Sequence, residues 1–310
     1  MVSIDTPVVA RRRVRLVLRR TREARKLTQT QVAEAMEWSL SKVMRIESGE
    51  VTIMPNDLRP LLAYLGIVDK EQVDMLLQAA KLSRQRAGGR TEWWDEAPFK
   101  DAMTPPMRQL VRYETEATAI RYFYALVVPG QLQIPEYAAA IMENYRSEAT
   151  DASVEMTDEM ATLRVQARER RHRQLLERAD PPKIYALLDE SVLQRRIGGS
   201  GVLGNQLSEL LRLINEDRLM VRIVPFDLPA PIPMLGTYEI LYLGDDTADD
   251  AEEYAIMYRE SDLVDEIVED VEKIRRHRGI FERLWHAAPD EIASTKMLEE
   301  RVKSLLQGGA

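Results

Sequence analysis

Residues 27–50, LTQTQVAEAMEWSLSKVMRIESGE, leave this part of the chain few ways to fold. Thr28 stands where it can cap a helix, and Gln31 three residues later completes a reciprocal capping box. Val32, Ala33 and Met36 then recur at helical spacing as an inward stripe. The pattern breaks at Glu37 and Trp38, and Ser39 supplies a second cap. Val43 and Ile46 point inward along LSKVMRIES, with Gly49 as the C-terminal stop. Two short helices joined by a tight break, with small Ala33 where they meet, make a helix-turn-helix plan. The break carries Glu37 where such turns often keep glycine. If Glu37 is left-handed, its side chain costs on the order of 1–2 kcal/mol, which surrounding packing can absorb.

The flanking segments build a domain around this unit. Residues 11–26, RRRVRLVLRRTREARK, hold nine basic residues and one acid. Val14, Val17, Leu18, Thr21 and Ala24 recur at helical spacing, which predicts an amphipathic helix with an arginine-rich outer face. A solvated face is the ordinary reading of such a run; the shortage of acids to pair these arginines favours a phosphate-facing surface. Residues 56–65 and 69–82 read as further helices closing a five-helix domain, with Pro60 near the first turn of the former. Residues 1–90 carry 17 Lys/Arg and 10 Asp/Glu, net +7, whereas the rest carries 26 and 41, net −15. One segment thus suits a polyanion and the other does not. The whole-chain charge of −8 conceals the division.

The outward positions of the second short helix are Leu40, Ser41, Lys42, Met44 and Arg45. The Arg45 fork can pair with guanine O6 and N7, Ser41 can donate or accept, and Leu40 can touch a thymine methyl or simply pack. Lys42 suits a phosphate. The pattern L-T-Q-x-x-V-A followed by I-E-S-G resembles the Cro/phage-repressor-like (XRE) superfamily of helix-turn-helix regulators. The resemblance implies a phosphate contact from Gln29, base reading around Ser39, Leu40, Ser41, Lys42, Met44 and Arg45, and a scaffold role for Glu47. Thr28, Arg11, Arg12 and Arg13 are candidate phosphate contacts. The alternative is a helical bundle that has lost DNA binding.

Residues 1–86 are accordingly read as the DNA-binding domain, 87–106 as a linker around Gly88 and Gly89, and 107–310 as a second domain. Trp93 and Trp94 are expected to dock the linker onto that second domain. Residues 107–127 are helical in pattern, Pro135 can start a new helix, and 157–178 read as a helix whose mixed charges, His172 included, suit a solvated face. KIYALLDE, LMVRIVPF, TYEILYLG and EYAIMYRE are short β-rich runs, with the helix VLGNQLSELLRLINE between the first two. A last helical region runs from about 263 with a break at Pro289. The expected fold is mainly α: a five-helix lambda-repressor-like domain followed by an α+β domain with a small sheet.

Y-E-T-E-A, V-V-P-G-Q-L-Q-I-P-E-Y-A, R-x-x-R-x-x-L-L-E-R, L-L-D-E-S-V-L and R-I-V-P-F follow in an order similar to actinobacterial regulators that join such a unit to a C-terminal domain of unknown function (WhiJ-like and antitoxin-like regulators). The resemblance implies transcriptional control and a possible small acidic partner protein encoded nearby. Gln131 stands where those regulators usually have a bulky aliphatic residue.

Signals for catalysis are weak. GSGVLG at 199–204 satisfies GxGxxG, but the acids Glu216 and Asp217 precede the next strand, so a flexible turn is the better reading. DDTADDAEE at 245–253 lacks calcium-loop spacing and reads as a solvated hairpin turn. The three histidines have no metal-ligand spacing, and GxSxG, HExxH and P-loop patterns are missing. No Cys occurs, which excludes disulfides and thiol chemistry and suits a reducing compartment. The expectation is a cytoplasmic, non-enzymatic regulator without metal or cofactor. Its expected partners are double-stranded DNA and a second copy of itself, with no membrane. An antitoxin-like protein that holds a small partner is the alternative.

Overall fold

Thr6 accepts a hydrogen bond from Val9 N and a proline follows at the first helical position, so α1 (Pro7–Ala24) starts there. The computed structural model describes residues 6–84, 92–148, 157–229, 236–260 and 265–307. The chain divides into two units, Met1–Thr91 and Glu92–Ala310. Gly88 and Gly89, read as the boundary, lie outside the described residues.

In the first unit α1 is followed by α2 (Gln29–Ala35), α3 (Leu40–Ser48), α4 (Pro55–Tyr64) and α5 (Lys70–Leu82). All five contribute to one core, where Ala10, Leu18, Leu58, Leu62 and Ala80 are at most 1% exposed. Pro55, not Pro60, occupies the start of α4. Pro60 lies inside that helix and cannot donate to the Asn56 carbonyl one turn earlier.

The second unit begins with a single turn at Trp93–Asp95, α6 (Ala97–Ala102) and α7 (Pro105–Glu114). There follow β1 (Ala119–Tyr124), α8 (Pro135–Glu148), α9 (Asp158–Leu176), β2 (Lys183–Asp189), α10 (Ser191–Gln194) and α11 (Gly199–Asn215). The unit is completed by β3 (Met220–Val224), β4 (Tyr238–Tyr242), β5 (Ala255–Arg259), β6 (Glu266–Val268), α12 (Val271–Ala287) and α13 (Glu291–Gln307). Residues 92–106 are therefore folded chain rather than a bare connection. Trp94 is buried with Phe99, Met103, Val111 and Ala167, and Trp93 Nε1 donates to Gln174 Oε1 at 2.8 Å.

Among the described residues six strands form one sheet in the order β3-β2-β1-β4-β5-β6. The pairs of β1, β2 and β3 are parallel; the remaining pairs are antiparallel. Two strands exceed the four β-rich runs. Of these, β1 falls where a helical pattern was read, because AIRYFY is buried on nearly every residue and shows no alternation of period two. One face of the sheet, with Phe123, Tyr238, Ile240 and Met257, packs on Ile274, Phe281 and Leu284 of α12. Successive residues alternate faces, so the opposite face carries a cross-strand row of Tyr122, Glu239 and Tyr258 on β1, β4 and β5.

Three readings change here. The glycines of GSGVLG open α11 instead of forming a flexible turn, and a Cβ on Gly204 would lie 2.6 Å from Leu306 of α13. In DDTADDAEE, Asp246 and Glu252 are buried and pair with Arg121 at 3.2 Å and Arg278 at 2.8 Å, so this stretch is partly structural. The charged face of α9 is not wholly solvated either: Arg171 is buried and pairs with Glu114 at 2.6 Å. Among the described residues no helix is long and apolar enough to cross a membrane.

Candidate nucleic-acid interface

Each helix of the α2–α3 pair is held by its own capping groups. Thr28 Oγ1 accepts from Gln31 N while Thr28 N donates to Gln31 Oε1, closing the capping box at 3.1 and 2.8 Å. Helix α2 ends with Trp38 N donating to Ala33 O (2.8 Å) and Glu37 N to Glu34 O (3.2 Å). These are the two bonds of a Schellman motif, and Glu37 takes the left-handed position at φ 54°. Ser39 then caps α3 by accepting from Lys42 N. Gly49 ends it at φ 79°, with Arg15 side-chain atoms 2.9 Å from where a Cβ would sit.

Val43, Ile46 and Glu47 are the buried residues of α3. Glu47 is 7% exposed and binds three donors: Arg22 Nε (2.7 Å), Arg22 Nη2 (2.9 Å) and Gln29 Nε2 (2.7 Å). This one carboxylate ties α3 to α1 and to the first residue of α2. The Arg22 guanidinium is held above its usual pKa, chiefly by its hydrogen bond to Glu47.

The opposite side of α3 is open. Leu40 is 42% and Met44 51% exposed, and Ser39, Ser41 and Arg45 are exposed too. Arg45 Nε lies 3.5 Å from Glu50 Oε2, with both side chains more than half exposed, and such a pair holds Arg45 only weakly. Lys42 is half-buried: its Nζ is 2.8 Å from Asp57 Oδ2 and 3.9 Å from the Trp38 ring centroid. Gln29 keeps one amide hydrogen beyond the one given to Glu47.

The arginines of α1 depart from the expected outer face. Arg12 and Arg15 are 5% and 4% exposed, and Arg11 and Arg13 are half-buried, whereas Arg19 and Arg20 are exposed. Val9 and Leu16 are buried beside Arg12, on the side of α1 away from the core residues Ala10, Val14 and Leu18. Sequence reasoning also missed Arg22, the partner of Glu47, and Arg25, which donates to Tyr64 O at 2.7 Å and lies against Gly66. Both pairings span long stretches of chain, and nothing local marks them.

Comparison with known families agrees with this division. A model described as a helix-turn-helix domain matches residues 14–76, and one described as a domain of unknown function (DUF5753) matches residues 107–300. No curated protein and no solved structure matches the chain.

Proposed function

The chain belongs to the DUF5753 family and joins that domain to a helix-turn-helix unit, from which we propose that it is a sequence-specific DNA-binding regulator of transcription. Helix α3 enters the major groove in this reading. One observation carries it: Leu40, Ser41, Met44 and Arg45 are presented to solvent on a helix whose other side is locked through Glu47 to α1 and α2. The net charge of +7 on residues 1–90 supports a polyanionic partner.

Arg45 reads guanine, Ser41 a neighbouring base edge, and Leu40 and Met44 present apolar surface to thymine methyls. Thr28, Gln29, Ser39, Lys42, Arg11 and Arg13 supply phosphate contacts. A homodimer would set two copies of α3 about 34 Å apart on a near-palindromic site. The acidic second unit then serves self-association and regulation, with no catalytic step assigned to it.

Genome-wide mapping of bound sites, followed by footprinting with the purified chain, tests the reading. Arg45→Ala should cost about 1–3 kcal/mol on the preferred site and relax the preference at one base position. Lys42→Ala should weaken all sequences alike. Unchanged selectivity in Arg45→Ala would remove Arg45 as a reader. Copurification of a small partner in fixed stoichiometry, with no promoter footprint from the complex, would overturn the regulator reading itself.

A further inference from the structure

The sheet of the second unit reverses its order at β1: the chain adds β2 and β3 on one side and later places β4 on the other. Beyond the carboxyl end of β1 lies a pocket of about 50 Å³, room for roughly three or four water-sized groups. Small enclosed spaces lined by a few convergent polar groups are the default ligand positions of a fold. Gln131 and Gln133 reach it from the turn after β1, Arg168 and Arg171 from α9, and Glu239 and Tyr258 from the cross-strand row. Gln206 of α11 braces that turn, donating to Leu132 O and accepting from Ile134 N at 2.8 Å each.

The pocket lining concentrates buried polar atoms that have no partner among the described residues: Arg168 Nε, Glu239 Oε1, Tyr258 OH, Gln131 Oε1 and Gln133 Oε1. Gln131, Gln133, Glu239 and Tyr258 are each at most 6% exposed. Buried polar atoms are paired in the great majority of cases, so five around one small space call for a partner. The two arginines are held unequally as well. Glu114 takes two bonds from Arg171, at 3.0 and 2.6 Å, whereas among the described residues Arg168 donates to Arg164 O at 3.2 Å and Met142 Sδ at 3.8 Å. Glu260 adds an exposed carboxylate at the rim.

Burial above all, and then the neighbouring Glu114, push the Glu239 carboxyl up to about 8, so at neutral pH it keeps a proton to donate. The Gln131 amide nitrogen already serves Glu114 and Glu239 (2.5 and 2.9 Å), and that of Gln133 serves Val128 O (2.7 Å). Both amide oxygens are therefore left to accept. Three donors lack acceptors and two acceptors lack donors.

We propose that this pocket binds a small organic carboxylate that also carries an N–H or O–H group. Arg168, Tyr258 and Glu239 take the carboxylate, and Gln131 and Gln133 take the donor. The assignment stands independently of DNA recognition. Water alone filling the pocket is the competing account.

Isothermal titration of the full-length protein with alanine, lactate, acetate, ethanolamine and inorganic phosphate tests it without DNA. Alanine or lactate should bind at least tenfold more tightly than acetate, which lacks the donor, and than ethanolamine, which lacks the carboxylate. Arg168→Gln and, as a milder second variant, Tyr258→Phe should each weaken that binding several-fold in protein whose circular dichroism is unchanged. No binding of alanine or lactate, equal binding of ethanolamine or phosphate, or wild-type affinity in both folded variants would overturn the proposal.

Discussion

Two nitrogens of Arg22 and one of Gln29 converge on Glu47, at a position 7% exposed. Removing the carboxylate leaves the Arg22 charge, 11% exposed, without its main partner. Loss of one member of a buried ion pair costs about 3–5 kcal/mol, so Glu47→Ala should sharply lower the denaturant midpoint of the first unit. DNA affinity should fall with it, for every sequence alike. A wild-type midpoint would show that the apolar core holds α3 without this pair. The scaffold role of Glu47 was legible through I-E-S-G, but its partner was not. Arg22 looks like every other arginine in RRRVRLVLRRTREARK, and only the packed helices show which arginines turn inward. The same blindness placed Arg12 on the surface and Arg171 on a solvated face, although both are buried. Gln131 is the instructive departure. Its polar side chain, where an aliphatic one was expected from the resemblance, is fully buried and bridges Glu114 to Glu239.

Elements with local end signals were legible. Thr28, Ser39 and Gly49 bound α2 and α3 where their chemistry predicts, because a cap acts within four residues of itself. Helix α1 was legible for another reason, a long apolar period. Strand β1 was not, since a strand covered on both faces loses its alternation and resembles a buried helix. The glycines before α11 misled in the opposite way. They punctuate the sequence, yet the backbone uses them to enter a helix, with Gly198 and Gly199 at positive φ. At the turn between α2 and α3 the left-handed residue is Glu37, and both Schellman bonds form regardless. Glu37→Gly should therefore stabilise the first unit by about 1 kcal/mol through relief of that conformation. Thermal unfolding and a DNA titration on the same variant check this: melting should rise while affinity stays within twofold. A lower melting temperature would mean that the Glu37 side chain itself contributes to the turn.

For the molecule as a whole, charge is divided as its units are, +7 on residues 1–90 and −15 on the rest. The acidic part nonetheless keeps one carboxyl protonated in its interior. The Glu239 pKa is raised from 4.5 to about 8 by burial, so the folded state holds a proton that the unfolded chain has released between those values. The stabilising contribution is full below about pH 4.5 and is lost as pH rises through 8. Melting of the second unit should fall between pH 5 and pH 9, followed by fluorescence from Trp93, Trp94 and Trp285. Glu239→Gln should flatten that dependence; an unchanged slope would assign it to other groups. The matches to a helix-turn-helix model over 14–76 and to DUF5753 over 107–300 follow the same division.

The central place of β1 in the sheet also governs the order in which this chain can be completed during synthesis. Thr118 donates to Tyr242 O across a separation of 124 residues, so β1 stays open on one edge until β4 has been made. The five helices of the first unit close through much shorter separations, and low contact order folds fast. At about 5–20 residues per second the ribosome releases them many seconds before β4 emerges. A nascent chain therefore passes through a stage in which the helix-turn-helix is finished and the pocket does not yet exist.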